Sequence, residues 1–162
     1  MPAIDPRKEN AVFITSPMPA LADAGAVLQK VLQQLTPNIR STIILRCDEL
    51  PLVKASEKNI EKIFSQLLNM IVGKKRGNTQ LYLHISCSAE KTEDLDLSLP
   101  LGFSRFFIQF HTNLLPDPEW MKIHQPTIND IDISLKSFGG SLSTNLLKNP
   151  GCLFAVSLPG KQ

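Results

Sequence analysis

The residues able to do chemistry in this chain are few and scattered. Lys74, Lys75 and Arg76 follow an apolar run after the single Gly73 and are closed off by Gly77, in "NMIVGKKRGN". Three cations there could hold a phosphate; the plainer reading is that they offset the negative end of a helix and stay solvated. His84, His111 and His124 are the only histidines, and Cys47, Cys87 and Cys152 the only cysteines. The cysteines lie far apart, each in or beside an apolar run. That spacing predicts reduced, buried thiols rather than a zinc site, whose ligands come in close pairs. The carboxylates Glu90, Glu93, Asp94 and Asp96 fall in one acidic loop and read as a solvated turn. No nucleophile, base and oxyanion donor stand in an arrangement that supports catalysis.

The elements that must position these groups are clearer. The 162 residues are 43% hydrophobic and 20% charged, the balance of a globular chain long enough for one buried core. A net charge of +2 gives no basic face for nucleic acid. No apolar stretch approaches the roughly 18 residues needed to span a bilayer, and the polar start lacks the apolar core of a signal peptide, so the chain is expected in the cytoplasm without direct membrane insertion. Residues 1–10 read as a flexible lead or linker and 11–162 as a single domain.

Within it, "AVFIT" (11–15) suggests a short strand. From Ala20 to Leu35 the apolar residues recur at steps of three and four, which predicts a helix stopped by Pro37. "STIILRC" (41–47) is a strand; "DELPLVKAS" turns the chain, and Ser56 caps a helix that runs to about Val72. "QLYLHISCS" (80–88) and "SRFFIQFHT" (104–112) alternate as strands. "NLLPDPEWMKIHQP" (113–126), with three prolines, reads as a loop, followed by a short helix carrying Ile128, Ile131, Leu135 and Phe138. Two closing strands form around the "KNPG" turn. With one apolar face per helix, the simplest burial sets about three helices on one face of a mixed, mostly antiparallel sheet: an α/β (α+β) two-layer sandwich.

Two phrases in this order, "LPLVKASEKNIEKIFSQLLNMIV" and "SFGGSLSTNLLKNPGCLFAVSLP", resemble the ATP-binding (HATPase) domain of sensor histidine kinases and their relatives among the gyrase, chaperone and mismatch-repair ATPases. The resemblance spans about Leu21 to Gly160. It implies a helix of pattern Asn-x-x-x-Asn-Ala whose second asparagine binds magnesium; the matched positions here are Gln66 and Met70. A thioether is too soft to replace an oxygen ligand of magnesium. It also implies an Asp-x-Gly-x-Gly turn that holds adenine. Thr112 stands at the aspartate, with Leu114 and Pro116 at the glycines. The glycine-rich phosphate turn corresponds to "HQPTINDID", which includes Thr127 and has no glycine, and whose Asp130 and Asp132 would place negative charge in the first turn of the last helix. The family's long lid is squeezed between Thr112 and Thr127. A basic residue often follows the asparagine helix in the family, and Lys74 matches it.

The resemblance therefore implies a degenerate form that binds no cofactor: a non-catalytic binding or regulatory module, of pseudokinase type, in bacterial two-component signalling. The alternative is an atypical ATP-binding catalytic domain of a sensor histidine kinase, using Mg-ATP, with Gln66, Thr112 and Lys74 substituting for the lost groups. No histidine matches a phosphoacceptor site on a dimerising helix. The expected partner is a protein, such as a signalling protein or response regulator, with a homodimer also open. Candidate contact residues are Phe103 or Phe107, on a strand apolar on both faces, and Trp120 with Met121 in the proline-bearing loop.

Overall fold

The computed structural model describes residues 20–35, 43–73, 80–90, 99, 102–114, 116–146 and 151–161. The expected strand at 11–15, the cations Lys74, Lys75 and Arg76, the acidic loop at 91–98 and the "KNP" part of the closing turn lie outside the described residues.

A short strand, β1 (Leu21–Asp23), opens the described chain where a helix is expected. Its backbone pairs antiparallel with β3 (Leu52–Lys54), itself read as turn from the sequence. The helix α1 (Ala24–Gln33) begins only where the Asp23 carboxylate accepts a hydrogen bond from the Ala26 N–H, 3.1 Å away. An aspartate in that role satisfies an amide the first turn cannot. The predicted apolar stripe faces inward, with Ala24, Val27, Leu28 and Val31 buried.

After β2 (Ile43–Cys47) and β3, Ser56 caps α2 (Glu57–Val72), its hydroxyl accepting from the Asn59 N–H at 3.3 Å. This helix forms as the sequence predicts. It buries Ile60, Ile63, Phe64, Leu67, Leu68 and Ile71, packs against α1, and carries a surface ion pair from Glu61 to Lys30 of α1 at 2.9 Å. The strands β4 (Leu81–Ala89) and β5 (Ser104–Thr112) follow.

The segment read as a proline-broken loop is helical. Helix α3 runs from Pro118 to Lys136, nineteen residues, ten earlier than the apolar pattern suggests. Each proline has its own explanation. Pro116 precedes the helix, and Pro118 occupies its first position, where no N–H is needed. Only Pro126 lies inside, where it removes the hydrogen bond to the Lys122 carbonyl at a typical cost of about 3 kcal/mol. The Asp117 cap, accepting from the Trp120 N–H at 2.7 Å, and the burial of Trp120, Ile128, Ile131 and Leu135 offset that cost. Two strands, β6 (Ser141–Leu146) and β7 (Cys152–Lys161), complete the fold.

The seven strands form one sheet in the order β1-β3-β7-β5-β4-β2, with β6 also on β7. Only β2 with β4 is parallel. Alternate residues of β4, β5 and β7, among them Leu83, Ile85, Ile108, Phe110, Phe154 and Val156, are fully buried with the helices. Phe110 meets Phe64 of α2 edge to face, ring centroids 5.7 Å apart. The result is the expected helix layer over a mixed, mostly antiparallel sheet.

Phe106 and Phe110 point into this core, whereas Phe103 and Phe107 are half-buried. Trp120, read as an exposed loop anchor, is only 7% exposed, so it is a core residue. The cysteines also divide. Cys152 is buried and Cys87 half-buried, and burial pushes both thiols up to about 11. Cys47 is exposed rather than buried, its thiol raised by partial desolvation and by the neighbouring Asp48 carboxylate.

Candidate functional site

The residues matched to nucleotide chemistry belong to three elements: α2, the end of β5, and α3. Period 3.6 in "IEKIFSQLLNMIV" puts Ile60, Ile63, Phe64, Leu67, Leu68 and Ile71 on the sheet-facing side of α2. Gln66 falls at the margin of that stripe and is half-buried. Met70, one turn later, is 4% exposed and belongs to the apolar core cluster. Its neighbour Asn69 is exposed, and its amide donates back to the Ser65 hydroxyl on the same helix at 3.4 Å. No oxygen therefore occupies position 70, and the nearest amide on the helix is turned to solvent.

At the end of β5, Thr112 is 2% exposed. Its hydroxyl accepts a hydrogen bond from the Leu114 N–H at 2.9 Å, a local turn that keeps the oxygen satisfied within its own strand exit. Leu114 then turns into the same core cluster as Met70. Between them, Asn113 does structural work that its sequence position does not advertise. Its side-chain oxygen accepts from the Tyr82 N–H at 2.9 Å and its amide donates to the Gln80 carbonyl at 3.0 Å, clamping the start of β4.

Thr127 does not stand in a loop. It is half-buried in the interior of α3, where its backbone is committed to the helix and offers no cradle for an anion. Asp130 and Asp132 are likewise not in a first turn, so the expected repulsion at a helix terminus does not arise. The terminus is at Asp117, and Glu119 is the acidic residue of the first turn. Asp132 instead binds the next strand: its carboxylate accepts from the Leu142 N–H at 2.9 Å and pairs with Lys136 at 3.0 Å. These two contacts, the backbone bond first, hold its carboxyl below the ordinary 3.8. A depressed carboxyl stabilises the fold above its unfolded value and loses that contribution as pH falls through the folded one. Asp132→Asn is therefore expected to lower stability by about 1 kcal/mol near pH 7, with the gap to the parent protein narrowing toward about pH 3, measured by urea unfolding at both.

His124 is in α3 too, its ring tilted on that of Trp120 with centroids 4.4 Å apart. The Trp120 indole N–H is buried without a hydrogen-bond partner among the described residues. Lys74 lies outside the described residues. The structure thus buries Met70 and Leu114 in the one apolar core, leaves Gln66 and Thr127 at its margins, and ties the Thr112 hydroxyl into its own turn.

Open space lies elsewhere, except that Thr112 borders the second of two clefts. A cleft of about 430 Å³ sits where β3 and β6 leave the same edge of β7, bordered by Lys54, Ser56, Arg105, Ser137 and Gly139. Arg105 crosses it, donating to the Gly139 carbonyl at 2.7 Å and the Ser157 hydroxyl at 3.2 Å. A second cleft of about 380 Å³ lies on the sheet face away from the helices, between Ile44, Tyr82, His84 and His111. Neither has Gln66, Met70 or Thr127 in its wall. Among the described residues no three His, Cys, Asp or Glu side chains are placed to hold a metal ion, and no helix is long and apolar enough to cross a membrane.

No family model and no curated protein matches this sequence. Solved structures do resemble the fold. The catalytic domain of histidine kinase ThkA, in a nucleotide-free form, superposes with a TM-score of 0.63 at 14% identity over 88% of this chain and 95% of that one. The ATP-binding domain of PrrB from Mycobacterium tuberculosis gives 0.61 at 11% identity, over 88% and 98%. Histidine kinase AdeS of Acinetobacter baumannii gives 0.61 at 12%, over 96% of this chain and 75% of that one. At such identities the likeness speaks for architecture alone, and on that ground this chain has the fold of the ATP-binding catalytic domain of sensor histidine kinases.

Proposed function

We propose that this domain is a non-catalytic binding or regulatory module, built on the histidine-kinase catalytic fold and acting through protein contacts in bacterial two-component-type signalling. The observation that carries the reading is the burial of Met70. In the resembling ATPases an asparagine at the matched position presents oxygen to magnesium; here a thioether at that position packs into the core. Three further features point the same way. Leu114 fills the core where a glycine would let backbone approach adenine, Thr112 has its hydroxyl occupied by the Leu114 N–H, and Thr127 lies within a helix rather than in a phosphate-binding turn.

The residues present do not fit Mg-ATP, and no phosphoryl-transfer step is assigned to them. What such a module retains is a rigid surface, and a signalling protein such as a response regulator is the partner class this reading nominates. Calorimetric titration with Mg-ATP is the direct test. The expected result is no saturable heat up to about 1 mM nucleotide; a site with a dissociation constant near 10 μM, worth about 7 kcal/mol, would overturn the reading in favour of an atypical ATP-binding domain.

A further inference from the structure

We propose that two copies of this chain associate edge to edge through β2, antiparallel, with Leu45 of one copy opposite the partner's Leu45. The proposal does not depend on whether the helix layer binds nucleotide.

The strand β2 ends the sheet and pairs with β4 on one side only among the described strands. Its ladder fixes which backbone groups are spent. Cys47 aligns with Ile85 in parallel register, and the Asp48 N–H donates to the Ile85 carbonyl at 2.8 Å. Successive residues of a strand turn their backbone groups to alternate edges. Ile44, Arg46 and Asp48 therefore face β4, while Ile43, Leu45 and Cys47 present N–H and C=O to the open edge.

These three outward residues are self-complementary. In a two-fold antiparallel pairing centred on Leu45, Ile43 meets the partner's Cys47, Leu45 meets the partner's Leu45, and Cys47 meets the partner's Ile43. Each pair exchanges two backbone hydrogen bonds. The neighbouring registers do worse. Centring on Arg46 would still join outward backbone groups, Leu45 with the partner's Cys47, but would set the two Arg46 side chains face to face in the close non-hydrogen-bonded pair; centring on Cys47 would put Glu49 against Leu45.

The side chains agree with the chosen register. Leu45 is 42% exposed on the helix-side face, flanked by exposed Cys47 and half-buried Ile43, so the pairing buries an apolar row. On the other face Ile44, 45% exposed, aligns with Tyr82, 52% exposed, and would receive the aliphatic stem of the partner's Arg46. Each Arg46 keeps its own Asp48, 3.8 Å away, so no uncompensated charge is brought in. An edge of five residues, four of them apolar and its one charge, Arg46, paired with Asp48, with neither proline nor lysine, is the kind that pairs unless it is covered. The opposite end of the sheet, β1, has only three residues, so the association closes as a dimer rather than growing into a filament.

Sedimentation velocity over a concentration series tests this on the full chain. A reversible dimer of twice the 18.0 kDa monomer is expected, with a dissociation constant of about 1–100 μM for so small an interface. Leu45→Pro removes an N–H that the monomer does not use, so it should fold normally by circular dichroism yet dimerise at least about tenfold more weakly. Leu45→Lys provides a second variant with the same expectation. By hydrogen exchange, the amides of residues 43, 45 and 47 should be protected in concentrated solution and released on dilution, while those of 44 and 46 stay protected throughout. A protein that remains monomeric to about 1 mM, or variants that dimerise like the parent, would overturn the proposal. So would outward amides equally protected at every concentration, which would mean that the chain covers its own edge.

Discussion

Restoring the asparagine of the related ATPases at Met70 is expected to destabilise the domain by about 3 kcal/mol without creating a magnesium site. Met70 is 4% exposed among apolar neighbours, so an amide there loses its water and gains no hydrogen-bond partner. The loss combines the apolar contacts of the thioether with the desolvation of a polar group. Met70→Leu, close in volume and still apolar, should cost less than about 1.5 kcal/mol and separates the polar effect from simple repacking. Urea unfolding of both variants, with a magnesium and Mg-ATP titration of the asparagine variant, gives the answer. If Met70→Asn were as stable as the parent and bound Mg-ATP saturably, the core assignment of Met70 would be wrong.

Gly140→Ala should be at least as damaging, about 3 kcal/mol or more. Gly140 joins α3 to β6, and its N–H donates to the Leu135 carbonyl at 2.8 Å to close the helix. A Cβ there would collide with the Ser157 carbonyl of β7 and lie 2.9 Å from the Leu158 side chain. The first obstacle is backbone in the middle of the sheet, which cannot swing aside as a flexible side chain can. Gly139→Ala makes the informative comparison. It has φ +79 and room beside Pro159, so only the left-handed conformation opposes the substitution, at about 1–2 kcal/mol. Equal losses for the two variants would show that the β6 junction yields freely, against the close approach described here.

The elements legible in the sequence are those whose signals are local. Ser56 and the stripe from Ile60 to Ile71 announce α2, and alternation announces β4 and β5. The strands β1 and β3 carry no such signal. Each has three residues, and each exists because a partner distant in the chain lies alongside: Lys54 beside Leu21, Lys161 beside Leu52. The first half of α3 was hidden for a different reason. Prolines oppose helices in the interior but suit their first turn, and the sequence alone does not say which of the two Pro116, Pro118 and Pro126 meet. Reading that segment as loop put Thr127, Asp130 and Asp132 at a helix start, and put Trp120 in solvent, when its indole is buried. The apolar identity of residues 70 and 114 can be read in sequence. That Thr112 closes on Leu114, or that Asn113 clamps β4, depends on atoms brought together only by the turn.

The position of β7 sets a timetable for synthesis. β7, the last of the described strands in chain order, is bonded to β3 on one flank and β5 on the other, and β6 also depends on it. While the ribosome is still translating, the β1–β3 pair has no place in the sheet, because the strand that must lie between it and β5 has not been made. The β1–β3 pair and β6 must therefore wait for β7 to emerge before they can join the β2–β4–β5 part of the sheet, and until then their apolar faces stay uncovered, as clients for chaperones.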